Sequence, residues 1–398
     1  MGIFAGGCMT PTGKILWPSP AANSAGKPSG AIAARIAIAG DFLPAGRLGF
    51  GATPNWCDLA APLAPLFEDV AATFLNLECA LDTQGLSPRA LNGLGDIVSA
   101  SENSLDYLAA IHARAVGIAN NHAFDFGDSG VRRTRDAIVR RGFAPLGAGF
   151  TLQSPPETFL WRGPGDIRVG FWAAAKATHD LSTHARTGVE PASLDRANAA
   201  AELLRAKGAR SRIALVHAGC LRTNRPDPED LRLLDSISRA GFDIVAASHS
   251  HRISGSVQLD RTSATPAFAF YGLGTITSGF ISSPLEREGL AVVAGLDANG
   301  ALARVELRPV WINESGFGMA PSSEKAAEIL HRYTQLSAEI KDGSYERLFY
   351  HDVSPGLVGL HIRDVRSAYR QSGIRGLARK AARLRMRHVR RLVHKVVG

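Results

Sequence analysis

Cysteine is scarce in this chain of 398 residues: Cys8, Cys57, Cys79 and Cys220 are the only four, and no two form a C-x-x-C pair. That excludes a disulfide framework and a structural zinc site built from thiolates, and it agrees with a reducing compartment. Long apolar runs are missing too. No segment reaches the roughly eighteen residues needed to span a bilayer. The N-terminus, "MGIFAGGCMTPTGKILWPSP", has no basic start followed by a continuous apolar stretch, so it does not read as a signal peptide. Its Gly, Pro and Ser content predicts a disordered or loosely attached leader over residues 1–33. The expected location is the cytoplasm or the periphery of the inner membrane. Charge of one sign is also absent from most of the chain. The formal net charge is +9, but Arg363–Gly398 holds twelve Lys or Arg against Asp364 alone, so everything before it sums to −2. The basicity belongs to a tail.

What is present is an ordinary globular composition, 45% hydrophobic and 20% charged. Short apolar runs recur, each ending in polar residues: "ARIAIAGD" (34–41), "ATFLNLE" (72–78), "ARAVGIANNH" (113–122), "IRVGFWAAA" (167–175), "SRIALVHAG" (211–219), "FDIVAASHSH" (242–251) and "PAFAFYGLG" (266–274). Continuous apolar runs of this length predict strands covered on both faces. Between them, "SENSLDYLAAIHA", "SGVRRTRDAIVRRG" and "DPEDLRLLDSISRAG" carry helical spacing with good capping residues. Strand and helix alternate, so the class is α/β. Residues 289–312 read as a hairpin turning near Asp297–Gly300, which makes the sheets mixed. Ser322–Gln335 reads as a helix on the body.

In open α/β sheets, ligands sit beyond the carboxyl ends of the strands. Those ends carry Asp41, Glu78, Asn120, Asn121, His122, Asp125, His217, His249 and His251, with no Lys or Arg among them. Each alone is an ordinary loop residue; the set is not. Carboxylate, amide oxygen and imidazole are the donors for divalent Zn, Mn or Fe. There are too many for one ion, and they suit two metals about 3.5–4 Å apart. His249 and His251 are expected on one side of an extended segment. The remaining histidines read as ordinary surface or core residues. Of these, His179 and His184 lie in a loop of the kind that contacts substrates.

The series "AGDFL", "NLECAL", "ANNHAFDFG", "VHAG", "SHSH" and "YGLGTI", in this order over Arg35–Trp311, resembles the CapA family of poly-γ-glutamate capsule proteins, within the calcineurin-like metallophosphoesterase superfamily. The resemblance implies a four-layer α/β/β/α sandwich with mixed sheets over 34–320; beyond it the residues read as a helical extension over 321–358 and a basic tail over 359–398. It implies two divalent metals. Asp41 and His251 would hold the first, Asn121, His217 and His249 the second, and Glu78 would bridge them. His122 would be the general acid, oriented by Asp125. Three places depart from the superfamily or family pattern: Leu43 stands where the superfamily has a histidine that CapA-like proteins generally lack as well, Cys220–Leu221 where an acidic residue is expected, and Thr275 where an asparagine is expected.

The tail "GLARKAARLRMRHVRRLVHKVV" places Leu377, Ala381, Leu384, Leu392 and Val396 near one helical face with basic residues elsewhere. Such a helix suits an anionic membrane surface. No aromatic residues interleave with the charges, which argues against nucleic acid. The functional expectation is a dinuclear hydrolase of phosphoesterase type in capsule, poly-γ-glutamate or exopolysaccharide synthesis, acting on an anionic polymer or phosphoester. The alternative is a non-catalytic polymer-binding or assembly factor on the same fold with a degraded metal site.

Overall fold

The computed structural model describes residues 13–17, 31–48, 55–89, 97–176, 180–259 and 266–353. The basic tail, His179 and most of the leader lie outside the described residues. So does any test of the tail as a membrane helix.

Residues up to Arg89 and Ile97–Ser337 form one compact unit. Its first sheet runs, edge to edge, Lys14–Trp17, Leu302–Ile312, Glu288–Leu296, Ala34–Leu43, Ala72–Leu77, Ala113–Gly117 and Ala144–Leu146. Thr275–Ser278 pairs with the end of Ala34–Leu43, and Gly318–Met319 with Leu302–Ile312. The second sheet runs Ser256–Leu259, Ala267–Phe270, Ile244–Ser248, Ser211–His217, Arg168–Ala175 and Thr158–Arg162. Both sheets are mixed. In the first, Ala34–Leu43 is parallel to Ala72–Leu77 and antiparallel to Glu288–Leu296. The expected hairpin is Glu288–Leu296 and Leu302–Ile312.

The alternation of side chains along each strand sorts the layers. Phe74 of the first sheet stacks on Phe171 of the second at 3.5 Å between ring centroids, so these faces meet in the middle. On the opposite face of the first sheet, Phe42 stacks on Tyr107 of the short helix Asp106–Ala109. On the opposite face of the second, Trp172 stacks on Phe242, and Gly170 lies against Leu204 of helix Leu194–Ala206. Two mixed sheets therefore lie face to face between outer helices, as expected. The central strands are largely apolar because both their faces are covered; Ile36, Ala37, Ile38 and Ala39 are all buried.

The helices begin where their sequence caps them. Asp227 accepts from the Glu229 N–H at 2.9 Å, Pro228 follows, and the helix runs Pro228–Arg239. Helix Gly127–Arg140 buries Val131, Thr134, Ala137 and Ile138 on one face. Two local readings differ. Ser101–Ala113 is not one helix: a 3₁₀ turn, Glu102–Leu105, leads into the single turn Asp106–Ala109, and His112 closes it on left-handed backbone. Lys14–Trp17, inside the expected leader, is instead an edge strand on Leu302–Ile312, where the unpaired backbone of that long strand offers a ladder.

The second unit takes in Ala90–Asp96 and Ala338–Gly398. Its described part holds the end of helix Ser323–Asp342, a left-handed cap at Gly343, helix Ser344–Leu348 and a π-helical turn, Phe349–Val353.

Candidate metal centre

The two sheets bring their strand ends together at one edge of the interface between them. Asp41 lies near the end of strand Ala34–Leu43, and Glu78 follows strand Ala72–Leu77 directly. His217 ends strand Ser211–His217, and His249 and His251 follow strand Ile244–Ser248. Asp41, Glu78 and His217 are at most 2% exposed.

Two ligand groups share Glu78. Donor atoms of Asp41, Glu78 and His251 lie within 4.8 Å of one another, and so do those of Glu78, His217 and His249. One carboxylate oxygen serves each group: Glu78 Oε2 is 2.8 Å from His251 Nε2, and Oε1 is 3.4 Å from His217 Nε2. Asn121 joins the second group, its Oδ1 2.6 Å from His217 Nε2. His249 Nδ1 is 3.0 Å from the same nitrogen. A single imidazole nitrogen thus faces an amide oxygen, a carboxylate oxygen and a second imidazole nitrogen. One N–H cannot satisfy all three, whereas a cation between them can accept every lone pair. The donor set fits divalent metal.

The loop Ser248–His251 is not extended. His249 and His251 both sit on left-handed backbone, with φ of 110° and 56°. Non-glycine residues adopt this conformation only where the surroundings enforce it. The twist lets one histidine reach each side of Glu78, which an extended i, i+2 pair on one face could not do.

Burial and charge act against each other here. Burial works to raise Glu78, but the imidazoles of His251 and His217 win and hold its carboxyl well below the usual range. Burial and the Glu78 charge push Asp41 up. Burial drives His249 down to about 4, keeping its lone pair free. Burial works to lower His251 as well, but Glu78 and Asp41 outweigh it and lift it to about 9.

His122 stands beside Asn121 and outside both groups. Its Nδ1 is 2.9 Å from Asp125 Oδ2, which also accepts the Val98 N–H at 2.7 Å. Burial opposes the imidazolium, but the Asp125 bond and the Glu78 charge prevail and His122 is raised. Asn120 is a clip rather than a ligand. Its Oδ1 accepts the His122 N–H at 3.0 Å, and its Nδ2 donates to Leu77 O at 2.7 Å. All eight residues singled out as metal or catalytic candidates are thus brought into one neighbourhood.

Asn76 was missed by sequence reasoning. Its Nδ2 donates to Asp41 Oδ1 at 2.6 Å and lies 3.3 Å from His217 Nδ1, while its Oδ1 accepts from Asn120 Nδ2 at 3.1 Å. The available signal was an amide inside an apolar strand, which must find partners when buried. Of the three departures, Leu43 is buried and apolar, so it gives the first group no donor; Cys220 and Thr275 are buried too.

A family profile described as "Bacterial capsule synthesis protein PGA_cap" matches residues 35–279. No curated protein sequence matches the chain. Among solved structures, the NAD nucleotidase NadN of Haemophilus influenzae is similar at 11% identity and a TM-score of 0.41, over 79% of this chain and 60% of that one. A 5'-nucleotidase precursor from Thermus thermophilus is similar at 16% identity and 0.42, over 76% and 58%. The calcineurin-like phosphoesterase YfkN of Bacillus subtilis is similar at 14% and 0.41, over 77% of this chain and 98% of that one. These likenesses are distant, and the chain spans less than two thirds of the length of the first two. The profile match covers well over half of the sequence and every residue of the two ligand groups, so the chain belongs to the bacterial capsule synthesis protein family PGA_cap.

Proposed function

We propose that the chain is a dinuclear metal-dependent hydrolase of phosphoester type, working on an anionic polymer or its precursor in capsule or exopolysaccharide production. The observation that supports this reading most is the sharing of Glu78 between two ligand groups, one oxygen to each side. Asp41, Glu78 and His251 would hold one ion; Glu78, Asn121, His217 and His249 would hold the other. Bound divalent ions would supply Lewis-acid polarisation of a phosphoryl oxygen and an acidified water. The chain's own residues do the rest. Asn76 fixes Asp41 by its amide N–H. Asp125 holds His122 by Nδ1, so Nε2 is the nitrogen that gives a proton to the leaving oxygen.

Metal content by elemental mass spectrometry tests the reading. Close to two ions per chain are expected, with most lost in Glu78→Ala. A bis-aryl phosphate should be turned over by the loaded wild type and not by His122→Ala. A chain that takes up no metal from Mn²⁺ or Zn²⁺ would sink the proposal. Leu43 favours a second reading, because it leaves the first group with three protein donors. In that reading the chain binds or assembles polymer without cutting it. Metal-free protein that retains a capsule polymer and turns over no phosphoester would support it.

A further inference from the structure

Two arginines flank the ligand cluster on the His251 side. Arg252 follows His251 directly, and Arg222 lies on the loop that leaves His217. The Arg222 N–H donates to Ser250 O at 2.8 Å, which ties that loop to the segment carrying His249 and His251. Arg222 sits on left-handed backbone, φ 61°, a conformation a non-glycine residue holds only when its surroundings require it.

Both guanidiniums turn to one buried carboxylate. Arg222 Nε is 3.6 Å and Arg252 Nη2 is 3.5 Å from Glu286 Oε1. Glu286 is 2% exposed. Its oxygens already accept the Ser282 N–H at 2.8 Å and the Ser282 hydroxyl at 2.9 Å. One negative charge therefore faces two positive ones. A guanidinium paired with a carboxylate frequently closes to bidentate hydrogen bonds. Neither does so here. Arg252 Nη2 donates to Ser283 Oγ at 3.0 Å, but its buried Nε has no hydrogen-bond partner. The Arg222 side chain is 53% exposed. Each guanidinium carries five N–H donors; the half-exposed Arg222 leaves most of its own for a ligand, and Arg252 stands beside it on the same carboxylate.

We propose that Arg222 and Arg252, set by Glu286, form an anion-reading pair that takes a second anionic group of the substrate, a carboxylate or a phosphate, beside the reacting bond. This rests on the reading of the cluster as a hydrolytic centre. It makes the enzyme selective for substrates that carry a negative charge next to the bond they lose, as a polyanionic chain does at every repeat.

The test is isothermal titration calorimetry of the full chain with glutarate and, separately, with inorganic phosphate. Each is measured on chelator-treated protein and again after Mn²⁺ loading. The metal-free wild type is expected to bind. Arg222→Met should weaken binding at least about tenfold, the scale of a lost charge-assisted hydrogen bond, and Arg222→Lys should weaken it less. Arg252→Met should match Arg222→Met; if it unfolds because Glu286 loses its partner, the half-exposed Arg222 decides alone. Tighter glutarate binding assigns the group as a carboxylate, tighter phosphate binding as a phosphate. No binding to metal-free wild type overturns the proposal. So does equal affinity in wild type and Arg222→Met, or binding that appears only with Mn²⁺ and ignores Arg222. Anion binding that depends on Arg222 in a chain that holds no metal would keep the pair and remove the hydrolase reading instead.

Discussion

Replacing Asn76 by alanine removes the amide that joins the two sheets' contributions to the centre. Asp41 is fully buried, and its Oδ1 would lose the 2.6 Å bond from Asn76 Nδ2. Its Oδ2 would keep the His249 N–H at 2.8 Å. A hydrogen bond to a buried charge contributes about 1.5–3 kcal/mol. Asn120 would lose its 3.1 Å bond to Asn76 Oδ1 but keep Leu77 O, a loss of about 0.5–1.5 kcal/mol for a neutral pair. Water entering the small gap recovers part of this, so the expected cost is about 2–4 kcal/mol. Urea denaturation of the metal-free protein at pH 7 measures it, as a midpoint shift of about 1 M at an m-value of about 3 kcal/mol/M. Asn76→Asp should cost more than alanine, because it adds a carboxylate beside the buried Asp41, whose charge Glu78 already opposes. The reasoning fails if Asn76→Ala shifts stability by less than about 0.5 kcal/mol, or if Asn76→Asp is the milder change.

Three other expectations can be measured directly. Gly40→Ala should leave little soluble protein, since a Cβ there would lie 2.1 Å from Gly274 O on the neighbouring backbone, which cannot swing away; normal yield and an unchanged urea midpoint would contradict the packing of these strands. Phe74→Ala should cost about 3–5 kcal/mol, because the ring fills the layer between the sheets against Phe171 and Phe159; calorimetry reads the fall in Tm, and a negligible fall would refute the face-to-face stacking. Asp69 is lowered, chiefly by its hydrogen bonds from Arg308, so it contributes stability above the unfolded carboxylate value of 3.8 and loses it as pH falls through the lower folded value. The stability gap between wild type and Asp69→Asn should therefore be constant near neutral pH and close in acid, and a gap that widens below pH 4 would show the sign to be wrong.

Much of this protein is legible in its residues. The apolar runs ending in Asp41, Glu78, His217 and Ser248 announced strands with covered faces, because a strand buried on both sides admits few polar residues until it leaves the sheet. Asp227 and Pro228 fixed a helix start by local capping, which needs no distant partner. Donor chemistry nominated the metal candidates, and the family resemblance supplied the proton-transfer roles of His122 and Asp125. The tertiary structure decided what depends on residues distant in sequence. It gave Glu78 one oxygen for each ligand group, because that requires the ends of two sheets to meet. It put His249 and His251 on left-handed backbone, a conformation imposed by contacts rather than by composition. It made Asn76 a bridge, since an amide in a strand shows its partners only when the neighbouring strands are in register. And it set Arg222 and Arg252 on Glu286, charges that sequence distance holds apart and folding brings within 3.6 Å.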